Sequence, residues 1–215
     1  SFMPKPMQDQ AGSGMHVNMS LFREGKNAFF DAADSRQLSP LAYQFIAGLL
    51  AHVQGFCALT NPLVNSYKRL VPGYEAPCCL AWSTGNRSAL IRIPTPRGQG
   101  TRVELRSPDP ACNPYLTFAA CLTAGLDGIR RQLTPPPEIT ENLYEMSPAA
   151  LVAQGVPLLP SSLGDALVAL EADKTITAAL GPHVAAQYLT GKRREWEEYR
   201  TQVSQWELEK YLVTY

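Results

Sequence analysis

Met15-His16-Val17-Asn18-Met19-Ser20-Leu21 alternates throughout, with Met15, Val17, Met19 and Leu21 on one side of an extended chain and His16, Asn18 and Ser20 on the other. Side chains two apart share a strand face, so the stretch predicts a half-buried β-strand whose polar face carries an imidazole, an amide and a hydroxyl. Such a row can hold a metal, a phosphate or a sugar once charged partners arrive from elsewhere. Just upstream, Gly12-Ser13-Gly14 forms a flexible hinge. It is no P-loop, because the lysine and Ser/Thr that should follow are missing.

The same design recurs in Thr101-Arg102-Val103-Glu104-Leu105-Arg106-Ser107, where Arg102, Glu104 and Arg106 share a face and Val103 and Leu105 point to a core. Residues 86–94 give a third strand candidate. Across these two stretches lie Arg87, Arg92, Arg97, Arg102 and Arg106 against a single acid, Glu104. The whole chain carries 19 basic and 19 acidic residues, so this excess is local. The arginines read either as a salt-bridge network or as an anion site, and phosphate is favoured because guanidinium forks match its oxygens. Glu104 reads either as an ion-pair centre or as a ligand for a hard divalent cation. With His16 it makes a partial set for magnesium or manganese, to be completed by Glu75, by water or by protein outside this chain.

At 215 residues and 45% apolar composition the chain can bury a substantial core. Zero net charge argues against a dedicated nucleic-acid binder. No apolar run reads as long enough to cross a bilayer and the start lacks a secretory signal, so no membrane partner is expected. Cys57, Cys78, Cys79, Cys112 and Cys121 are odd in number and lack metal-ligand spacing, which predicts reduced, buried thiols in a cytoplasmic protein.

Ser39-Pro40 supplies a cap and a first-turn proline for a helix running to about Cys57 through Leu41, Phe45, Ile46, Leu49, Leu50 and Val53. Residues 61–77 lack any sustained period and carry Arg69 and Glu75 among turn-formers, predicting a long ordered loop with a functional role. Residues 78–82 read as a buried strand. Asn113-Pro114 opens an apolar helix through Leu116, Phe118, Ala119, Leu122, Leu126 and Ile129, stopped by the prolines of 134–137. Beyond it, 161–171, 174–180 and 182 to about 205 predict successive surface helices concerned with packing and assembly.

Taken in order, these stretches resemble the catalytic-domain signatures of class I glutamine synthetase. Residues 5–20 resemble its ATP-binding signature and Asn65-Ser66-Tyr67-Lys68-Arg69-Leu70-Val71-Pro72-Gly73-Tyr74-Glu75-Ala76-Pro77 its glutamate loop. Asn86-Arg87-Ser88, Ile91-Arg92-Ile93-Pro94, residues 102–110 and Asn113-Pro114-Tyr115 complete the series. The resemblance implies an α+β fold: antiparallel strands of a partial catalytic barrel packed with helices over about 1–110, then a mainly helical part over about 111–215. It implies that ATP phosphorylates the side-chain carboxylate of glutamate and that ammonia displaces phosphate from the γ-glutamyl phosphate. His16 and Glu104 would be ligands of Mg2+ or Mn2+. Gly12, Arg69 and Arg106 would bind glutamate; Asn18, Ser20, Arg87, Arg92 and Arg102 would serve the nucleotide; Glu75 and Arg87 would be catalytic. Glu75 would close over the site and help to deprotonate ammonium, excluding water that hydrolyses an acyl phosphate.

There are departures. Ala11 stands where many relatives have asparagine and Asn18 where some have histidine. Tyr144 matches a tyrosine that some class I enzymes adenylylate, but Arg200-Thr201-Gln202-Val203 with Trp206-Glu207 resembles the subclass regulated without that modification. The family's small N-terminal domain and the strands bearing its other metal-binding glutamates are not in this sequence. The chain is therefore expected to be an inactive C-terminal fragment of a homo-oligomeric enzyme, a dodecamer by resemblance. Two other readings compete: a ligase joining glutamate to a larger amine, and a non-catalytic assembly or regulator-binding module.

Overall fold

Capping side chains fix where the helices begin. In the computed structural model, which describes residues 1–71, 75–146, 148–153 and 155–215, Ser39 accepts a hydrogen bond from the Ala42 amide and Pro40 occupies the first turn of α1, Pro40–Thr60. Asn113 likewise accepts from the Tyr115 and Leu116 amides to start α3, Pro114–Arg130. Between them the loop expected over 61–77 contains one helical turn, α2, Ser66–Arg69. Pro72, Gly73 and Tyr74 of that loop lie outside the described residues. The remaining helices are α4, Pro148–Ala153, α5, Leu163–Ala172, α6, Lys174–Arg200, and α7, Gln205–Tyr211.

α1 is the axis of the core. Phe45, Ile46, Leu49, Val53, Phe56 and Leu59 are fully buried, covered chiefly by α3 and α5. By length and composition α1 is apolar enough to cross a bilayer, contrary to the sequence expectation, although most of it is buried inside this fold. α3 meets it along a seam of small residues. The buried positions of α3 are Thr117, Ala120, Cys121, Ala124, Gly125, Asp127 and Gly128, whereas Phe118, Leu122 and Leu126, the large residues that suggested its apolar face, are exposed. The axes come so close that a Cβ on Gly128 would overlap the Gln44 carbonyl oxygen, and one on Gly48 would overlap that of Ala124.

The break expected between 180 and 182 is present. Gly181, at φ 74°, interrupts α6 just before Pro182. The last helix expected to run to about 205 instead stops at Arg200, and Ser204 with Glu207 forms a capping box that starts α7.

The four-stranded sheet has the order β1 (Val17–Met19), β6 (Val103–Leu105), β5 (Ile91–Arg92), β4 (Trp82–Ser83). β6 pairs antiparallel with both β1 and β5, while β4 joins β5 in parallel because residues 84–90 loop back along the sheet. Regular pairing is shorter than the alternation predicts, but Met15 N still donates to Pro108 O beyond the end of β1. A separate hairpin, β2 (Phe22–Arg23) and β3 (Lys26–Asn27), turns at Glu24 and Gly25, both at positive φ as a tight two-residue turn requires. All five cysteines are free, and burial pushes Cys57, Cys78 and Cys121 up to about 12, so they are inert thiols.

His52 of α1 ties three helices together. Its Nδ1 lies 2.7 Å from Asp173 Oδ2, at the start of α6, and its Nε2 lies 3.0 Å from Asp127 Oδ2 of α3, which also accepts from Arg131 at 3.1 Å and pairs with Arg130. The Asp173 hydrogen bond raises the imidazole above its ordinary 6.5, against burial and with help from Asp127. Burial pushes both carboxyls up, but His52 together with Arg131 at Asp127, and with the Thr175 and Ile176 amides at Asp173, leaves them below 3.8. A raised histidine contributes its full stabilisation below 6.5 and loses it as pH climbs through the folded value; the lowered acids contribute above 3.8 and fail as pH falls. The melting temperature is therefore expected to decline as pH rises above about 6.5 and through the raised His52 value, and His52→Gln to flatten that decline, measured by calorimetry across the range. An unchanged alkaline slope in the variant would count against the clamp.

Candidate active site

The register sets the site. Asn18 lies opposite Glu104, and Glu104 opposite Arg92, so one sheet face carries these side chains in a row across three strands. Val17, Ile91, Ile93, Val103 and Leu105 fill the core on the other face. The Cα step that pairs Val17 with Leu105 places His16 beside Arg106, diagonal to Glu104. Glu104, only 5% exposed, receives both neighbours: His16 Nδ1 lies 3.2 Å from its Oε1, and Arg92 Nε donates to its Oε2 at 2.5 Å. Burial and the Arg106 charge push the His16 imidazole below its ordinary value, against the upward pull of Glu104, which favours the neutral, ligating form. Arg102 Nε donates to Asn18 Oδ1 at 3.0 Å on the outer side of the same row.

Beside His16 opens a cavity of about 430 Å³ lined by Gly12, Gly14, His16, Arg69, Glu75 and Arg106, with Ala11 and Ala76. The N-terminal segment is pinned to the 61–70 loop: Asn65 accepts from the Lys5 amide at 2.8 Å and donates to its carbonyl at 3.0 Å. Ser13 N donates to Pro4 O at 2.8 Å. A Cβ on Gly12 would overlap that Pro4 oxygen, and one on Gly14 would come within 2.5 Å of Arg69 Nη2, so the glycines are what lets this backbone pass over Arg69.

Both cavity arginines are held from below. Arg69, buried at the end of α2, donates to the carbonyls of Ser107 at 2.6 Å and Arg106 at 3.3 Å. Burial lowers it, Asp109 opposes, and a guanidinium keeps its charge in any case. Asp109 is itself fully buried and accepts from Asn61 Nδ2 and the Ala111 amide, each at 3.0 Å. Arg106 donates to the carbonyls of Arg87 and Ala89, but its buried Nε has no hydrogen-bond partner among the described residues. A buried donor left unmade costs about 1–3 kcal/mol.

The structure thus brings Gly12, His16, Arg69, Glu75 and Arg106 to one cavity, with Glu104 and Arg92 beside it. Arg87 is exposed on the adjoining turn, and Ser20 lies beyond Asn18 in a second, more apolar depression with Phe45 and Phe118. Arg97 does not join the cluster: its guanidinium is spent on the carbonyls of Arg36, Pro94, Thr95 and Pro96. Among the described residues no three His, Cys, Asp or Glu side chains gather for a metal, so His16 and Glu104 supply two donors of an incomplete set. Asn61, Asn65 and Asp109 do positioning work that the sequence reading missed. Asn61-Pro62 and Asn65-Ser66 ahead of α2, and Asp109 between Pro108 and Pro110, were the available signal.

Comparison with known proteins identifies the family. The family model "Glutamine synthetase, catalytic domain" matches residues 1–211. The glutamine synthetases of Clostridium saccharobutylicum and Thermus thermophilus are 57% and 55% identical over the whole chain. The chain spans about half the length of these curated relatives, 48% of each. A solved structure described as a GmaS/ADP complex superposes with a TM-score of 0.89 at 38% identity, covering 99% of this chain and 49% of that one. An apo GmaS structure gives 0.83 at 39% identity, covering 99% and 48%. Sequence and fold agree, and the chain belongs to the glutamine synthetase catalytic-domain family.

Proposed function

We propose that this chain is the C-terminal part of the catalytic domain of a cytoplasmic, homo-oligomeric enzyme that joins ammonia to glutamate with ATP, through γ-glutamyl phosphate. The observation that carries the reading is the meeting of His16, Glu104 and Arg92 at the rim of a cavity walled by Arg69 and Arg106 and faced by Glu75. Arg69 and Arg106, which both line the cavity, would grip the carboxylates of glutamate and its activated form. Gly12 would meet the substrate through its backbone. Arg87, Arg92 and Arg102, with Asn18 and Ser20, would take the phosphates and the nucleotide, spreading positive charge along the path of the phosphoryl group.

His16 and Glu104 fit a hard divalent cation, Mg2+ or Mn2+, as part of its shell, and such an ion would neutralise phosphoryl charge there. Glu75 would close the cavity and accept a proton from ammonium, keeping water from the acyl phosphate. The missing ligands belong on the half of the relatives that this chain does not span. Two exposed apolar sets are available for that half or for neighbouring subunits: Phe118, Leu122 and Leu126 on α3, and Trp206, Leu212, Val213 and Tyr215 at the C-terminus.

A coupled phosphate-release assay on the full-length protein is expected to show turnover that requires glutamate, ATP and ammonium together, with ammonium preferred over methylamine. Residues 1–215 alone are expected to show none. Full-length protein that releases phosphate only with a larger amine would replace ammonia in this reading, and turnover by the isolated chain would overturn its incompleteness.

A further inference from the structure

Glu75 sits at φ 61°, in the left-handed region that a β-carbon disfavours, so its place at the cavity needs an outside hold. That hold is Tyr144. Its hydroxyl donates to the Glu75 carbonyl at 2.6 Å and lies 3.4 Å from the Arg87 carbonyl, the same oxygen that accepts from Arg106. One phenol therefore touches the backbone of two residues at the site and shares an acceptor with a third.

The segment carrying Tyr144 is itself anchored. Leu143 is buried and its amide donates to Ser88 Oγ at 2.9 Å; Asn86 Nδ2 donates to the carbonyls of Ile139 at 3.3 Å and Glu141 at 2.5 Å; Asn142 Oδ1 accepts from the Tyr144 amide at 3.1 Å. The phenol ring lines an enclosed, mainly apolar cavity of about 230 Å³ together with Leu70, Val71 and Cys78, residues from both ends of the loop that carries Glu75. Burial pushes the phenol above its usual value, against Arg106, so the hydroxyl remains a donor at neutral pH.

We infer that Tyr144 is a positioning residue that latches the Glu75 loop to the Arg87 turn and so sets where the Glu75 carboxylate faces the cavity, an inference that rests on the glutamine-forming reading above. The phenol touches no substrate; it acts through the Glu75 backbone.

Tyr144→Phe removes the hydroxyl and keeps the ring, so the apolar contacts stay. In the full-length protein, amide exchange over residues 75–78 is expected to quicken about 10-fold, the scale of one lost hydrogen bond, while exchange in α1 stays unchanged. Turnover with ammonium is expected to fall about 10-fold with KM for ATP unaltered, and phosphate release without ammonium to rise as water gains entry. Unchanged exchange at 75–78 would overturn the latch, and faster exchange with unaltered turnover would overturn its positioning role. Absence of glutamine formation by the unmodified protein would remove the functional reading instead, and exchange would still decide whether the latch exists.

Discussion

Glu104→Gln in the full-length protein is expected to lower glutamine formation by about 10²–10³-fold while costing about 2 kcal/mol of stability or less. Glutamine keeps the volume and one carbonyl oxygen, so Arg92 can still donate where it now meets Oε2 at 2.5 Å. What disappears is the negative charge between an imidazole and a guanidinium. If Glu104 served only as an ion-pair centre, Arg92, which is partly exposed, would rehydrate and turnover would change little. If Glu104 forms part of a cation's shell with His16, binding of Mn2+ followed by calorimetry weakens in parallel with turnover. A variant that retains turnover within about three-fold of the parent would sink the metal-ligand reading, whatever its melting temperature.

Much of that site was legible because a strand's period is two. Once Val17 and Leu105 are inside, His16, Asn18, Glu104 and Arg106 have to share the opposite face. The pairing partner of Glu104 was not legible. Arg102 and Arg106 flank it in sequence, yet Arg92 takes its second oxygen, because β5 lies between β6 and β4 and strand order is a tertiary fact. Arg97 shows the limit of counting charges: a guanidinium among turn residues can satisfy itself on carbonyls, and composition cannot distinguish that from an open donor. Tyr144 in sequence only matches a tyrosine that some relatives modify, a modification not expected here, and its role as a strut was not legible because its partner Glu75 is far along the chain. The helix break at Gly181-Pro182 was readable for the reverse reason, being wholly local.

The facing of α3 was misread from hydropathy, and this leads to the second large effect. Phe118, Leu122 and Leu126 outweigh Ala124, Gly125 and Gly128 on any apolar scale, yet the small residues are the ones inside. Close approach of two backbones needs small side chains at the crossing, and their contribution is the space they leave. At Gly128 a Cβ would overlap Gln44 O and stand 2.6 Å from both Gly48 Cα and Gly48 N. These are backbone atoms and cannot rotate away. Gly128→Val is therefore expected to push α1 from α3 and cost about 3 kcal/mol or more, read as a fall in denaturation midpoint in urea. Leu126→Ala on the exposed face of the same helix serves as the contrast in residues 1–215, where little should change. In the full-length protein the same Leu126→Ala substitution should become costly if the other half of the catalytic domain covers that face. A valine at position 128 tolerated without loss would mean that the helices are not locked at this crossing, and the platform holding β1 and β6 beside α1 would have to be sought elsewhere.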